Sequence, residues 1–456
     1  MAGLFGLLEL GKRTLIAQQF AQNIVGNNIS NVNTDGYSRQ QTQFNQIGTI
    51  DTPWGKIGLG VQIQNVERSR DALVDKSYRD AHGALAQWQT RANILQKVDT
   101  IFTEEDQAGL GSKMDAFFNA WEDLANDPES LQPRLALKQR GIALTDTFHR
   151  IANKLKEQKV STDNRISNLV DEANSLIKKI ATLNGKIPSS ATSAGQSNEL
   201  LDQRDQLIDR LAEIVNVKVI ESTDKGVSIF IGAINVVQGG FYHTIQTQTE
   251  SGDGMTKTVL YSPSGTPLDV SSGELKGLLD LRDEILPSYS DSLNTLAKSM
   301  VDQVNAYHKV GYTLDGDTGI NFFDTRYTTA DAIKLDDEIL DEPKKIIAAA
   351  EDAEGDGTQA LRIAKLKDAP LLNGSSYSDF YSGLITQIGV DGQSALDAAK
   401  SQEILARQTA IQREEVSGVS LDEEMINMIK FQQSYLAAAR MISTIDSMIE
   451  AIISLK

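Results

Sequence analysis

The stretch 419–456, VSLDEEMINMIKFQQSYLAAARMISTIDSMIEAIISLK, contains neither glycine nor proline. A continuous helix of that length would run about 57 Å at 1.5 Å per residue. Its apolar residues fall in two heptad columns, which are Leu421, Met428, Tyr435, Ile442 and Ile449, and Phe431, Ala438, Ile445 and Ile452. Offsets of three and four residues join the columns into one stripe, the pattern of a coiled coil. The sequence therefore predicts a long helix that needs a helical partner.

A second, less regular stripe lies at the other end of the chain. It consists of Leu4, Leu8, Leu15, Val25 and Ile29, with Gly11, Gln18 and Gln22 at intermediate positions. Helical spacing of these residues predicts a helix that ends near residues 31–33, and Asp35-Gly36 predicts a turn after it. Two such stripes at opposite ends of a chain commonly pair, and the simplest interpretation is an antiparallel helix pair that closes a bundle.

Long helices are also predicted between the two ends. Ser130 is a suitable N-cap, and Pro133 is tolerated in the first turns that follow it. The apolar ladder that begins there continues to Lys186, a length near 80 Å against a mean helix of about 11–12 residues. Further ladders predict helices over residues 78–102, 198–215 and 273–307. Rods and fibres need helices of such length, whereas compact enzymes seldom do.

A different pattern occupies residues 217–270, where short β-branched runs are separated by Gly, Asp and Ser. It predicts a small antiparallel β domain inserted into a helical stem, and residues 311–370 should be irregular, with short strands and turns. The expected fold is mainly α with a small β domain: a terminal coiled-coil pair, a long-helix bundle stem and an outer β domain. The predicted units are 1–40 plus 418–456 (terminal), 41–216 plus 273–310 plus 356–417 (stem), 217–272 (β domain) and 311–355 (irregular).

Composition excludes several classes of function. The chain has 456 residues, a formal net charge of −18, no Cys and four His. The acidic balance argues against binding to nucleic acid or to an anionic membrane surface, since both need clustered Lys and Arg. Without Cys there are no disulfides or thiolate sites, and scattered His residues disfavour a metal centre. Residues 1–11 are apolar, but the positive charges follow them, so no cleaved signal peptide is expected.

Three segments resemble chemical motifs without completing them. Residues 315–319 begin like a calcium loop but lack its later ligands, so a turn is the better interpretation. Residues 55–60 are glycine-rich but precede a strand-like run where a phosphate loop would open a helix, which favours a flexible turn. The charges at 202–210 read as solvated i,i+4 pairs on a helix face. The sequence therefore predicts no catalytic residue, no metal and no cofactor.

An asparagine cluster stands out near the end of the first predicted helix. It comprises Asn23, Asn27, Asn28, Asn31 and Asn33 and leads into the segment 34–39. Asn is a poor helix former unless its amide is hydrogen-bonded. Two interpretations remain open: a frayed helix end that runs into a loop, or a hydrogen-bonded ladder that fixes the register between packed helices.

Residues 27–40, NNISNVNTDGYSRQ, closely resemble the N-terminal signature of the bacterial flagellar axial proteins, which include rod, hook and hook-associated proteins. Those proteins usually carry Pro where Asp35 stands, and Asp suits the same turn. Further blocks follow in the order of the first hook-associated protein family: GVQIQNVER (60–68) with Asp71, NELLDQRDQL (198–207), GELKGLL (273–279) with Arg282-Asp283, VNAYH (304–308) with Gly311, SGVSLDEE (417–424) and FQQSY (431–435).

This resemblance implies a structural protein, not an enzyme, that forms a ring between the flagellar hook and the filament. It implies helical self-assembly through the terminal helices, with the hook protein below, a filament-side junction protein above, and an export chaperone. Neither nucleic acid nor membrane is an expected partner. Export through the flagellar type III apparatus, without a cleaved signal, would place the protein outside the cell.

The predicted assembly interface combines the two stripes with the asparagine-rich turn. It consists of Leu4, Leu8, Leu15, Val25, Asn27, Asn28, Ile29, Asn31, Asn33, Gly36, Tyr37, Arg39, Leu421, Met428, Phe431, Tyr435, Ile442, Ile445, Ile449 and Ile452. Because helices without tertiary packing are marginal in water, both terminal segments should be largely disordered in the free subunit. The alternatives are a hook or distal rod component, a wall hydrolase on an axial scaffold, and a free-standing coiled-coil scaffold.

Overall fold

The computed structural model describes residues 2–52, 55–102, 109–187, 194–222, 226–252, 255–353 and 355–454. The fold is mainly α with small antiparallel sheets, as predicted. The helices are α1 (Ala2–Ser30), α2 (Ala72–Phe102), α3 (Leu110–Asn126), α4 (Leu131–Lys186), α5 (Ala194–Ile214), α6 (Glu274–Asp280), α7 (Leu286–His308), α8 (Asp337–Asp341), α9 (Thr358–Ala364), α10 (Tyr377–Ser417) and α11 (Leu421–Ser454). The strands are β1 (Gln40–Gln46), β2 (Thr49–Thr52), β3 (Gly55–Gly58), β4 (Val61–Arg68), β5 (Lys218–Glu221), β6 (Val227–Ile231), β7 (Ile234–Gln238), β8 (Phe241–Tyr242), β9 (Gln246–Gly252) and β10 (Met255–Tyr261).

The two terminal helices, α1 and α11, form an antiparallel pair. Gly11 near the start of α1 lies beside Ile442, whereas Asn28 near its end bonds to Glu424 at the start of α11. The predicted C-terminal helix is confirmed over Leu421–Ser454, and residues 455–456 lie outside the described part of the chain. The first helix ends at Ser30, and the predicted turn follows it, with Gly36 at a φ of 74°. A side chain is strained at that φ, which explains the glycine.

A long β-hairpin follows α1 and lies against the terminal pair. β1 pairs with β4, with an irregularity between Gln43 and Phe44, and β2 pairs with β3 beyond them. The Phe44 and Phe431 rings lie 6.1 Å apart, which joins β1 to α11. The sequence indicated only the run that begins at Val61. The flexible turn predicted over 55–60 was wrong for residues 55–58, because backbone pairing with β2 makes them a strand.

The stem consists of long helices around one apolar core. α4 has 56 residues and begins as predicted, since the Ser130 side chain accepts a hydrogen bond from the Gln132 amide at 3.3 Å. α10 packs along α2, and Leu95, Phe148 and Ile180 are among the fully buried residues. The helix predicted over 273–307 consists of α6 and α7 joined by a π-helical turn, Leu281–Ile285. That turn precedes Pro287, which lacks the N–H that a regular helix would use.

The segment between α7 and α10 packs on one end of the stem. Phe322 and Phe323 are fully buried against Phe117 and Trp121 of α3, with ring centroids 5.0–6.3 Å apart across this aromatic group. The predicted irregular path and the turn near 315–319 are present. The described residues contain isolated β-bridges and short helices here where short strands were predicted.

The predicted antiparallel β region is confirmed beside α4. Strands β5, β6, β7 and β8 form a sheet in that order, and β9 and β10 form a hairpin. Asn184 of α4 donates to the Val227 carbonyl at 2.8 Å, and Asn174 accepts from the Ile245 amide at 2.8 Å. These bonds tie the sheet to the stem. In the described part of the chain, no helix combines the length and apolar character that a membrane crossing needs.

Candidate assembly site at the terminal helices

The predicted apolar stripe of α1 and that of α11 face each other inside the terminal pair. Val25 and Ile445 are buried, each 4% exposed. Most of the other predicted stripe residues are half-buried: Leu4, Leu8, Leu15, Ile29, Met428, Phe431, Tyr435, Ile442 and Ile449. Leu421 and Ile452, at the two ends of α11, remain exposed. The pair therefore covers one face of each helix.

Both α1 and α11 also carry large apolar side chains that the chain itself does not cover. They are Phe5, Leu7, Ile16 and Phe20 on α1, and Met425, Ile426, Ile429, Leu436, Met448 and Ile453 on α11. Ile426 and Ile453 are each 66% exposed. Exposed apolar side chains in this number on two paired helices indicate an interaction site. None of these ten residues belongs to the predicted set, because the heptad columns indicate only the face inside the pair.

Asn28 is the centre of the asparagine cluster. It is 1% exposed, and its amide nitrogen donates to the Gln40 carbonyl at 2.8 Å and to Glu424 Oε2 at 2.9 Å. Its oxygen accepts from the Gln40 amide at 3.0 Å and from the Tyr37 hydroxyl at 2.8 Å. Asn31, just after α1, bonds back to Asn27 near its end. Asn28 thus links α1, β1 and α11, whereas Asn23 and Asn33 are exposed.

Arg39 makes the second connection to α11. Its guanidinium lies 2.8 Å from Glu424 and 2.7 Å from Glu423, and the Glu424 side chain is 2% exposed. Burial raises the pKa of the Tyr37 hydroxyl, and the carboxylates Asp202 and Glu424 raise it further. Tyr37 therefore stays protonated and donates to Asn28. Sequence reasoning selected Arg39 and Tyr37 but missed Glu424, whose block was noted only for its resemblance.

The acidic residues of α5 are not a solvated face, so that interpretation was wrong. Asp202 and Asp205 are each 7% exposed, and one Arg68 nitrogen lies 2.7 Å and 2.9 Å from their carboxylates. Asp209 bonds to Arg79 and to Arg413, each at 2.7 Å. Their partners come from β4, α2 and α10, because the acidic face of α5 points into the stem rather than toward water. Helix spacing alone cannot distinguish these two environments.

Opposite charge keeps the buried carboxylate of Asp205 ionised. Burial alone would raise the pKa of Asp205, but Arg68 and Arg70 hold that pKa below its ordinary value. Burial also acts against the charged form of Arg68, yet Asp205 and Asp202 raise its pKa overall. The pairs are therefore charged on both sides, and removal of one partner would leave a buried charge unpaired.

The segment after α1 is bound to this charged group. The Ser38 amide and hydroxyl donate to Asp202 at 3.2 Å and 2.5 Å, and Gln206 donates to the Asp35 carbonyl at 2.6 Å. Four blocks that are distant in sequence, 27–40, 60–68, 198–207 and 417–424, thus meet at one place. We call it the junction cluster, and it comprises Asn28, Tyr37, Ser38, Arg39, Arg68, Asp202, Asp205 and Glu424.

Nothing in this arrangement resembles a catalytic or metal centre. Within the described ranges, no group of three or more His, Asp or Glu side chains is placed to hold a metal ion. The carboxylates of the junction cluster are bound to Arg, Ser and Asn groups of the same chain. The chemistry available here is packing and hydrogen bonding between segments of protein.

Family comparisons match the parts of the chain that build this site. The model described as "Flagellar hook-associated protein FlgK helical domain" matches residues 95–323, just over half of the chain. The model "Flagella basal body rod protein" matches residues 8–37, and "Flagellar basal body rod FlgEFG protein C-terminal" matches residues 411–455. The last two matches cover most of α1 and all of α11.

Individual relatives agree with these matches. Flagellar hook-associated protein 1 of Bacillus subtilis (strain 168) is 29% identical over 100% of this chain and 99% of its own length. The protein of the same name from Escherichia coli (strain K12) is 27% identical over 97% of this chain and 98% of its own length. The solved flagellar hook junction protein FlgK from Burkholderia pseudomallei is similar in fold, with a TM-score of 0.68, 14% identity, and coverage of 75% of this chain and all of that one.

Proposed function

The chain belongs to the family of flagellar hook-associated protein FlgK, and we propose that it forms the hook-side junction ring between the hook and the filament. The protein is thus a structural component of the bacterial flagellum. Its relatives are named hook-associated protein 1, and the solved relative from Burkholderia pseudomallei is titled a hook junction protein. These names support the finer position that we assign to this chain.

The observation that carries the proposal is the uncovered apolar surface of α1 and α11. Its large side chains, such as Phe5 and Ile426, are 57% and 66% exposed in the subunit. Burial of such side chains against neighbouring copies is favourable by roughly 1.5–3 kcal/mol for each one fully covered. Head-to-tail contacts repeated by one helical operator then build a section of a tube. The predicted interface residues pack within each pair, and the outward face joins one pair to the next.

We propose that the units predicted from the sequence have separate places in the assembled structure. The terminal segments 1–40 and 418–456 form the inner tube, the long helices form the stem around it, and residues 217–272 lie on the outside. In the free subunit most of each terminal helix is disordered, and it folds when neighbours supply apolar surface. That coupling disfavours polymerisation before the subunit reaches the growing tip.

The proposed partners follow from this position. Copies of the same chain form the ring, the hook protein lies below it, and a filament-side junction protein lies above it. The subunit leaves the cell through the flagellar type III apparatus, held by an export chaperone beforehand. No catalytic step is assigned to it, since the junction cluster offers contacts between protein segments and no reacting group.

A second candidate is another axial position, in the hook or the distal rod. The rod-protein models that match residues 8–37 and 411–455 favour it, because axial proteins share terminal helices. The FlgK helical-domain match over residues 95–323 favours the junction instead.

Electron microscopy of cells that lack this chain separates the two positions. Bare hooks, with filament protein shed into the medium and filaments restored by the wild-type gene, are the expected result. Cells without hooks would assign the protein to the hook or rod. Normal flagella would remove it from the axial structure.

A further inference from the structure

The chain passes between the terminal pair and the stem at one end of the pair. The chain leaves α1 through residues 35–39 and returns to α11 through residues 417–420, and the two segments lie side by side. The Arg39 amide donates to the Ser417 carbonyl at 2.9 Å, and the Ser69 amide donates to the Arg39 carbonyl at 2.8 Å. Whatever orders these segments fixes the end of α1 and the start of α11.

The hydrogen-bond acceptor for segment 35–39 is a carboxylate of the stem. Asp202 lies on α5, and Arg68 holds its carboxylate at 2.7 Å independently of Ser38. Asn198 of α5 also donates to the Val66 carbonyl at 3.1 Å, which fixes β4 on the same helix. Segment 35–39 therefore binds to a carboxylate that is already oriented, so less ordering is needed than in a site formed on binding.

Polar contact between α1 and α11 is confined to this end. Among the described residues, the side-chain hydrogen bond that joins the two helices is Asn28 to Glu424, and Arg39 adds its ion pair beside it. Farther along α1, Gln18 Oε1 and Gln22 Nε2 are buried without a hydrogen-bond partner. Each such group opposes burial, since its hydrogen bond to water is lost. Toward Leu4 and Ile452 the pair depends on apolar packing alone.

From these contacts we propose that Asp202 is a positioning residue that anchors segment 35–39, and that the terminal pair becomes ordered from this end outward. The end of α1 and the start of α11 are adjacent, so the loop that pairing must close is shortest there. Pairing that extends outward from this end adds apolar contacts, but it also buries the polar groups of Gln22 and Gln18 that have no hydrogen-bond partner. The distal halves therefore stay open to capture by a neighbouring copy. The proposal concerns the subunit before assembly and does not depend on its place in the flagellum.

Hydrogen exchange of the purified full-length subunit tests this order. Amides in residues 20–40 and 418–430 should exchange at least about tenfold more slowly than those in 4–15 and 440–454. Ser38→Ala and Asp202→Asn should speed exchange of the anchored residues about tenfold, because the first removes a hydrogen bond to a charged group and the second removes the charge of the acceptor. Asp209→Asn is the matched control, since it is on the same helix but bonds to Arg79 and Arg413 within the stem.

Three results would overturn the proposal. These are equal exchange along both helices, no change in Ser38→Ala, or an equal change at residues 20–40 in Asp209→Asn. If Asp202→Asn fails to fold, Ser38→Ala decides, because it leaves the ion pair of Arg68 and Asp202 intact. The two proposals can fail separately. If the purified subunit shows the expected exchange pattern but cells that lack the chain have normal flagella, the junction role is refuted and the anchoring role is supported.

Discussion

Gly11 of α1 lies so close to Ile442 of α11 that a Cβ atom at position 11 would come within 2.7 Å of the Ile442 Cγ1 atom. Real Cβ atoms do not approach other atoms so closely, and the two helix axes would have to separate to admit one. The near contact occurs at a heptad position of α11, so the glycine allows the two stripes to mesh there. Glycine is otherwise unfavourable inside a helix by about 1 kcal/mol relative to alanine.

Gly11→Ala and Gly6→Ala should therefore act in opposite directions. Both substitutions raise helix propensity by about 1 kcal/mol, but at Gly6 no atom lies within 4 Å of the added Cβ. At Gly11 the crowding costs about 1–3 kcal/mol and outweighs that gain. In assembled copies, where the terminal pair is ordered, hydrogen exchange of α1 should slow in Gly6→Ala and quicken in Gly11→Ala. Equal slowing in both variants would show that the two helices are not in close contact.

Asn28→Ala should loosen the connection between α1 and α11. The substitution leaves the Gln40 amide, the Tyr37 hydroxyl and Glu424 without their partner in a buried place, at a cost of about 1–3 kcal/mol for each buried polar group that stays unsatisfied. Tryptic cleavage after Arg39 reports the change, because the Arg39 side chain is only 15% exposed while it pairs with Glu424. We expect cleavage to be at least about tenfold faster in Asn28→Ala.

Asn33→Ala is the control for that measurement. Asn33 is exposed and follows the same helix, so its replacement should change stability by no more than about 0.5 kcal/mol. Unchanged cleavage in Asn28→Ala, or faster cleavage in Asn33→Ala alone, would contradict the central place given to Asn28.

The structure also predicts a pH dependence of the stem through His308. This residue is fully buried, its Nδ1 lies 2.7 Å from the Ile320 carbonyl, and its Nε2 accepts from the Ile347 amide at 3.2 Å. Burial lowers the pKa of His308 from 6.5 to about 4. The unfolded chain therefore takes up a proton below pH 6.5 that the folded chain resists. Stability from this group is present above pH 6.5 and falls by up to about 3 kcal/mol as the pH drops to 4.

Urea unfolding of the full chain between pH 7.5 and 4 measures this loss. His308→Gln should lower stability at pH 7.5 and reduce the further decrease between pH 6.5 and 4. His243→Gln, at an exposed position on the β domain, should leave the decrease unchanged. If wild type and His308→Gln lose stability in parallel over that interval, the imidazole is not held neutral in the folded chain.

Local periodicity explains which parts of the fold could be predicted. The heptads from Leu421 to Ile452 indicate α11, and the ladder after Ser130 indicates α4, because helical spacing can be recognised within a short stretch of sequence. The burial of Phe322 and Phe323 could not be predicted, since they lie in an irregular segment and pack on α3. β1 has no alternating apolar pattern, and its pairing with β4 depends on a partner more than ten residues away.

Sequence periodicity predicted only the part of the candidate site that lies between α1 and α11. Asn28 and Arg39 stand in a recognisable block, but their partner Glu424 lies 396 residues from Asn28 along the chain. Ser38 and Asp202 are separated by 164 residues, and the spacing of Asp202 and Asp205 suits a solvated helix equally well. The exposed apolar side chains of α1 and α11 were not predicted for a different reason. The two stripes pair with each other, so their periodicity does not indicate a second apolar surface.

That outward face gives the sharpest test of self-assembly. Ile426 is 66% exposed, so Ile426→Asp should change the stability of the free subunit by no more than about 0.5 kcal/mol. Burial of its unpaired carboxylate against a neighbouring copy would cost several kcal/mol, about a hundredfold or more in association. Phe241→Asp is the matched control, since Phe241 is 82% exposed but lies on the β domain. In cells that lack the chromosomal copy, Ile426→Asp should be exported but leave hooks bare, and Phe241→Asp should restore filaments. Filaments of normal number with Ile426→Asp would mean that copies do not meet through this face of α11.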